Sequence, residues 1–325
     1  MDTSLHSTQI ERDGPLLLVH GGAWDIPDAV LEDHRVGLRE ALDAGRGPLR
    51  DGADAVRVVT SAVAALENHG AFNAGYGAML NQDGEAELDA GIMDGQTLEY
   101  GAVMATRRLV HPARVARRLL TEGEGRVRML AGEGAERFAK AQGFGLIPND
   151  QLVCPRERQR YERLRRQAEA DHPSRPFLSG VSGLDGGDTV GAVARDASGH
   201  LAAATSTGGT PFKPPGRVGD SPLPGAGFYA DEHVAVSATG WGEAIAAVEL
   251  ARSVRERVRD GVSVETAART SLARMHEQVE SPDGEGATGG CIVVTPSDAA
   301  VAFTTPRMAR GVYPNEAESW ISVEP

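Results

Sequence analysis

The chain has 325 residues, 33 of them basic and 46 acidic, for a net charge of −13 and a pI near 5.2. That length allows one large domain or two ordinary ones with a sizeable core. The composition, 41% hydrophobic and 24% charged, is globular rather than disordered. The acidic balance argues against nucleic acid as a partner, because phosphate binding needs a basic face. No apolar run approaches the roughly 20 residues that span a bilayer, and MDTSLHSTQIERDG lacks the apolar core of a signal peptide. Cys154 and Cys291 lie far apart with no CxxC, so a disulfide framework or zinc site is not expected and a reducing cytoplasm is the simplest compartment.

In chain order, residues 1–14 read as a loose tail. LLLVH at 16–20 is a short buried strand running into Gly21-Gly22. Helical patterns follow from Pro27 to about Ala44 and over about 53–67, where Val56, Val59, Val63 and Leu66 share a face. After the glycine-rich FNAGYGAML come two strands, ELDAGIMDG and LEYGAVMAT, then helices at 112–120 and about 131–141. From about 143 to 188 the chain reads as a long flexible linker, with a charged run that suits an exposed helix and a Gly/Ser-rich end. TVGAVARD and HLAAATST form a hairpin, VAVSATG is a strand, helices span about 242–259 and 263–279, and GGCIVVTP with AVAFTT forms a closing hairpin. Hairpins outnumber βαβ crossovers, which favours antiparallel sheet covered by helices over a doubly wound fold.

Several familiar signatures fail. No glycine-rich run completes a phosphate loop, His276-Glu277 lacks the second histidine of a zinc helix, and there is no GxSxG elbow. What remains is threonine embedded in glycine, GLDGGDTVGAVARDASGHLAAATSTGG at 183–209. A flexible run stops abruptly at Thr189. A threonine hydroxyl needs an adjacent base, and the α-amine of an N-terminal threonine is one such base. Its unperturbed pKa of about 7.7–8.0 leaves a useful fraction unprotonated at neutral pH. Inside this chain that amine exists only if the Asp188–Thr189 bond is cut. The dipeptide alone favours the plainer reading, a β-branched residue that opens a strand.

The surrounding motifs decide between these. HGGAW at 20–24, FNAGYGA at 72–78, LDAGIMDG at 88–95, DTVGAVARD at 188–196, ATSTGG at 204–209, GRVGDSPLPGAGFYAD at 216–231 and SATGWGE at 237–243 all stand in family order. Together they resemble the plant-type L-asparaginase/isoaspartyl peptidase family of N-terminal-nucleophile hydrolases. The resemblance implies an α+β fold, a four-layer αββα sandwich with two mostly antiparallel sheets between helix layers. Residues 1–188 would form an α subunit and residues 189–325 a β subunit, together one structural domain, with two processed protomers pairing as a dimer.

The resemblance also implies roles. Thr189 is the nucleophile and new N-terminus, after cleavage between Asp188 and Thr189. Thr207 is its companion threonine, and Asn73 contacts the active site. Arg217 and Asp220 grip the α-carboxylate and α-ammonium of the substrate, for which a guanidinium fork and a carboxylate are chemically suited. Thr239 and Gly240 form the oxyanion hole. The carbonyls of Leu66, Glu67, His69, Phe72, Ala74 and Tyr76 hold a structural sodium ion, with no cofactor needed for catalysis. The expected substrates are asparagine and β-aspartyl dipeptides. Two alternatives are a glycosylasparaginase, to which Asp188 points, and a catalytically dead binding homologue. Against the former stand FNAG, the cation loop, Gly208 where that branch tends to have Asn, and missing export features. Against the latter stands the complete residue set.

Overall fold

The computed structural model describes residues 5–171, 189–281, 284–314 and 320–324. The strands are β1 (His6–Glu11), β2 (Leu16–Trp24), β3 (Leu88–Asp94), β4 (Tyr100–Thr106), β5 (Met129–Ala131), β6 (Val190–Arg195) and β7 (Leu201–Thr207), followed by β8 (Phe228–Ala230), β9 (Ala235–Gly240), β10 (Gly289–Val294), β11 (Asp298–Phe303), β12 (Arg307–Tyr313) and β13 (Trp320–Ser322). They form a five-stranded sheet ordered β1-β11-β10-β9-β8 and an eight-stranded sheet ordered β13-β12-β2-β6-β7-β3-β4-β5. The pairings are antiparallel except β4 with β5, which is parallel.

Helices α1 (Leu31–Arg50), α2 (Ala55–Asn68), α3 (Pro112–Glu122) and α4 (Gly132–Ala141) precede α5 (Pro155–Asp171). Three more, α6 (Gly242–Val248), α7 (Leu250–Arg259) and α8 (Val264–Gln278), follow β9. Side chains alternate across each strand, and here both faces are buried. Leu17 and Val19 of β2 pack with α1 and α2 residues such as Leu38, Val59 and Val63. Leu16 and Leu18 face the other way, against Ile292, Val294 and Val301 of the smaller sheet. Cys291 and Val293 then face Val254, Leu272 and Met275 of α7 and α8. Two sheets therefore pack on each other, and each carries helices on its outer side. This covering explains why the strands read as continuous apolar runs.

Four expectations need correction. The tail is not loose from residue 6: β1 pairs with β11 along the edge of the smaller sheet. The β10–β11 hairpin does not close the chain, since β12 returns to pair with β2. The helix expected over 242–259 breaks at Glu249, at φ 50°, because the 225–226 loop takes the first amides of α7: Ala251 N–H donates to the Ala226 carbonyl at 3.1 Å and Arg252 N–H to that of Gly225 at 2.8 Å. The stretch 143–171 is not flexible linker. Its charged run is α5, seated through buried Leu152, Glu157 and Leu164. The Gly/Ser-rich end of that expectation, and Asp188, lie outside the described residues.

Candidate active site

β6 and β7 pair with Val190 opposite Ser206. One step further, Thr189 meets Thr207, and the Thr189 hydroxyl donates to Thr207 Oγ1 at 3.1 Å. Thr207 Oγ1 also accepts from the Gly209 amide at 3.0 Å. Both threonines are buried. A pair of hydroxyls 3.1 Å apart is within range for one to polarise or orient the other.

Asn73, in the loop that follows α2, reaches the turn next to this pair. Its Nδ2 donates to the Gly209 carbonyl at 2.6 Å, its Oδ1 accepts from Met79 N–H at 2.8 Å, and its own carbonyl accepts from Gly208 N–H at 3.0 Å. Asn73 thus fixes the turn just past Thr207. Gly208 has no room for a side chain, because a Cβ there would lie 2.5 Å from Asn73 Oδ1 and 2.7 Å from Ala78 Cβ.

Arg217, Asp220, Gly240 and the two threonines line one small cleft, joined by Gly209, Gly219, Ser221 and Gly242. Arg217 already has a partner: its Nε and Nη2 donate to the two carboxylate oxygens of Glu243 at 2.9 and 2.7 Å. Sequence reading quoted Glu243 within SATGWGE but gave it no role. Asp220 is buried, and burial pushes its carboxyl up to about 7, against the opposing pull of Arg217. One of its oxygens, Oδ2, has no hydrogen-bond partner among the described residues. The Oγ1 of fully buried Thr239 lacks one too. Buried polar atoms of this kind are costly unless something pairs with them. A ligand ammonium and a developing oxyanion would satisfy these two atoms respectively. At Gly240, φ is 132°, a left-handed value that glycine tolerates, and a Cβ would lie 2.5 Å from Gly289 Cα.

A buried polar chain that sequence reading missed runs close to Thr189. His20 contacts Ser237 Oγ at 2.8 Å, and Ser237 Oγ meets Thr205 Oγ1 at 2.7 Å. Burial drives the His20 imidazole down to about 3, and a hydrogen bond with the Thr189 backbone opposes that only partly. His20 is therefore neutral at physiological pH. Gly191 leaves space for this chain, since a Cβ would stand 2.0 Å from Ser237 Oγ. The available signal was the cluster of hydroxyls that includes Thr205 in β7 and Ser237 in β9, set in strands that are buried along most of their length.

The expected cation loop is a succession of tight turns. The Leu66, His69 and Ala74 carbonyls accept from His69, Phe72 and Gly77 amides at 3.1, 3.3 and 3.1 Å. The Glu67 and Phe72 carbonyls press on Gly75 and Gly77, where a Cβ would lie 2.2 and 2.0 Å away. Carbonyl oxygens are chemically suitable donors for a hard cation, and three of the six expected ones, those of Leu66, His69 and Ala74, already accept backbone amides. The Glu67 side chain points elsewhere, accepting from Ser206 Oγ at 2.8 Å and Ala113 N–H at 3.0 Å. It ties the loop to β7 and to the start of α3.

A wider depression is lined by Pro215 and Gly216, just before Arg217 in sequence, with Arg107, Arg137 and Lys140 on its walls. None of Thr189, Thr207 and Thr239 lines it.

A family model described as Asparaginase matches residues 13–323. The chain belongs to the asparaginase family. It is 41% identical over 297 residues to the isoaspartyl peptidase/L-asparaginase of Xenopus laevis, covering 91% of each chain. It is 42% identical over 297 residues to that of Bos taurus, covering 90% of this chain and 91% of the relative. For the Homo sapiens protein the figures are 42% over 293 residues and 90% of each chain. Among the described residues, no helix is long and apolar enough to cross a membrane.

Proposed function

We propose that this member of the asparaginase family is an isoaspartyl peptidase/L-asparaginase, a hydrolase that releases aspartate from asparagine and from β-aspartyl dipeptides. The observation that carries the reading is the Thr189–Thr207 hydroxyl pair, 3.1 Å apart, in a cleft shared with Arg217 and Asp220. Relatives carrying that name cover nine-tenths of the chain.

In this reading the bond before Thr189 opens, giving the threonine a free α-amine. Thr189 Oγ then attacks the β-carbonyl carbon, and its proton passes to that amine. The oxyanion is received by Thr239 Oγ1 and the Gly240 N–H. When the C–N bond breaks, the amine returns its proton to the leaving nitrogen, and ammonia or an amino acid departs. Water opens the remaining Thr189 ester by the same proton route, and aspartate leaves. Arg217 holds the α-carboxylate and Asp220 the α-ammonium. Sodium on the carbonyls of Leu66, Glu67, His69, Phe72, Ala74 and Tyr76 would steady the loop that carries Asn73 and take no part in the reaction.

We read the two sheets and their outer helices as the four-layer αββα sandwich, and the working form as a dimer of processed protomers. Two buried free cysteines suit a reducing, cytoplasmic compartment. The glycosylasparaginase reading is disfavoured at Gly208, where an asparagine side chain would collide with Asn73 and Ala78.

The test is a side-by-side assay of purified protein on asparagine, β-Asp-Leu and GlcNAc-asparagine. Turnover of the first two and not the third is expected. Preference for the third would overturn the reading, and N-acetyl-asparagine turned over as well as asparagine would overturn the role of Asp220. Gel filtration giving a lone protomer would contradict the dimer.

A further inference from the structure

Helix α5 lies on the loop that carries Asn73, and its side chains donate to backbone carbonyls there. Arg156 Nη1 donates to the Ala71 carbonyl at 2.6 Å and Nη2 to the Gly77 carbonyl at 3.4 Å. Arg158 Nη1 reaches the Gly84 carbonyl at 3.5 Å, and the Tyr161 hydroxyl donates to the Gln82 carbonyl at 3.2 Å. Ala71 and Gly77 flank Asn73 in sequence, so a single guanidinium joins both sides of the turn that Asn73 occupies. The guanidinium is itself aimed: its Nε donates at 2.7 Å to Glu157, whose side chain is 1% exposed and which Arg160 also approaches at 3.4 Å. A planar fork fixed at one edge loses little freedom when its other nitrogens bind, and its bonds are charge-assisted. Neither Ala71 nor Gly77 belongs to the carbonyl set read above as the sodium site.

We infer that Arg156 is a positioning residue for the hydrolysis. Its guanidinium fixes the 71–77 turn, the turn holds Asn73 against Gly208 and Gly209, and the Gly209 amide fixes Thr207 beside the nucleophile. The inference rests on the hydrolase reading and deepens it, by adding α5 to the elements that set the site. Small displacements of a reacting group are costly: about 1 Å can remove roughly 100-fold in rate. Loss of the fork should therefore act on the chemical step more than on substrate binding, which Arg217 and Asp220 control.

Wild-type turnover of asparagine, with two bands on a denaturing gel, tests the hydrolase reading first and independently. Arg156→Ala is then compared with that wild type. The expected result is a cleaved protein whose kcat falls roughly 10- to 100-fold with KM little changed. Guanidinium or methylguanidinium at non-denaturing concentration should restore part of kcat, and tetramethylammonium at equal ionic strength should not. Arg156→Lys should fall between the two proteins, since an ammonium cannot present a planar fork. If Arg156→Ala stays uncut, Arg156→Lys and Arg156→Gln carry the same measurement, with kcat in the order Arg, Lys, Gln. An unchanged kcat overturns the inference. So does a kcat loss that tracks lowered thermal stability and ignores guanidinium, and so does failure of all three variants to be cut, which would make the arginine a folding residue only.

Discussion

The Asn73 side chain donates to the Gly209 carbonyl at 2.6 Å across 136 residues of chain, joining the loop after α2 to the turn that follows Thr207. Through that bond the loop governs where the companion threonine stands. Asn73→Ala leaves the Gly209 carbonyl and the Met79 amide without their partner. Each unpaired buried group costs about 1–3 kcal/mol. Thermal denaturation should show the loss, and steady-state kinetics on asparagine should show a kcat fall of roughly 10- to 100-fold.

Asp220 gives the site a pH dependence whose sign is fixed. Its folded carboxyl titrates at about 7, well above its usual value of 3.8, so the folded state keeps a proton that the unfolded chain gives up. Stability from this group is full below pH 4 and is lost as pH rises to 7, on a scale of roughly 4 kcal/mol. Asp220→Asn should therefore raise Tm at pH 8 and change it little at pH 4. His20 works in the other direction: held down near 3 against its usual 6.5, it contributes stability above pH 6.5 that disappears as pH falls toward 3. Competitive inhibition by aspartate, compared between the wild type and Asp220→Asn, separates Asp220 from the α-amine of Thr189, which both proteins would carry. The inhibition should weaken below pH 7 in the wild type and be nearly absent in Asp220→Asn. A pH-independent inhibition constant between pH 5 and 8 would show that Asp220 does not hold the ammonium.

Thr239 should separate stability from activity. Its hydroxyl is fully buried and unpaired among the described residues, so the near-isosteric Thr239→Val removes a desolvated group. We expect Tm to hold or rise, by the equivalent of about 1 kcal/mol. If that hydroxyl receives the oxyanion, kcat should fall roughly 100- to 1000-fold at the same time. A variant as active as wild type would remove Thr239 from the oxyanion hole.

Cleavage before Thr189 should give pieces of 188 and 137 residues, the smaller starting Thr-Val-Gly-Ala. In the proposed processing the threonine hydroxyl would attack the preceding carbonyl, an ester would form by N-to-O acyl shift, and water would open it. Thr189→Ala should run as one inactive band, while Thr189→Ser and Thr189→Cys keep a nucleophile and should be cut slowly. Full activity from a wild-type protein that stays one chain would rule out the α-amine as base.

Much of this was written in local pattern. The apolar runs of β2, β6, β7 and β10 and the 3.6-residue spacing in α2 were legible because each is buried by its own periodicity. Thr189, Thr207, Arg217 and Asp220 stand out in their glycine-rich motifs, and the structure places these four around one cleft, with Asn73 bonded to Gly209 beside it. What stayed hidden depends on partners distant in sequence. β1 is an edge strand with a half-exposed HSTQIE pattern, so it resembled a tail. α5 carries so many charges that its docked face, Glu157 and Leu164, left no readable stripe. The break at Glu249 has no glycine or proline, because the cause is the 225–226 loop competing for amides. The Glu67–Ser206 bond spans 139 residues, and no spacing rule reaches that far.

The order of strands in the larger sheet would have a kinetic consequence under the proposed cleavage of the Asp188–Thr189 bond. Reading β13-β12-β2-β6-β7-β3-β4-β5 across the sheet, ownership alternates between the two pieces, and β1 on the other sheet belongs to the first piece while its neighbours belong to the second. The pieces are plaited rather than side by side. The uncut precursor refolds as a unimolecular event, with β2 and β6 tethered on one chain. After cleavage the same assembly is bimolecular, so its rate falls with dilution and the chain-entropy advantage of the tether is gone. Denaturation of the cut protein should then behave as irreversible at low concentration, while the uncut chain recovers: the proposed cleavage would convert an equilibrium fold into one held by its unfolding barrier.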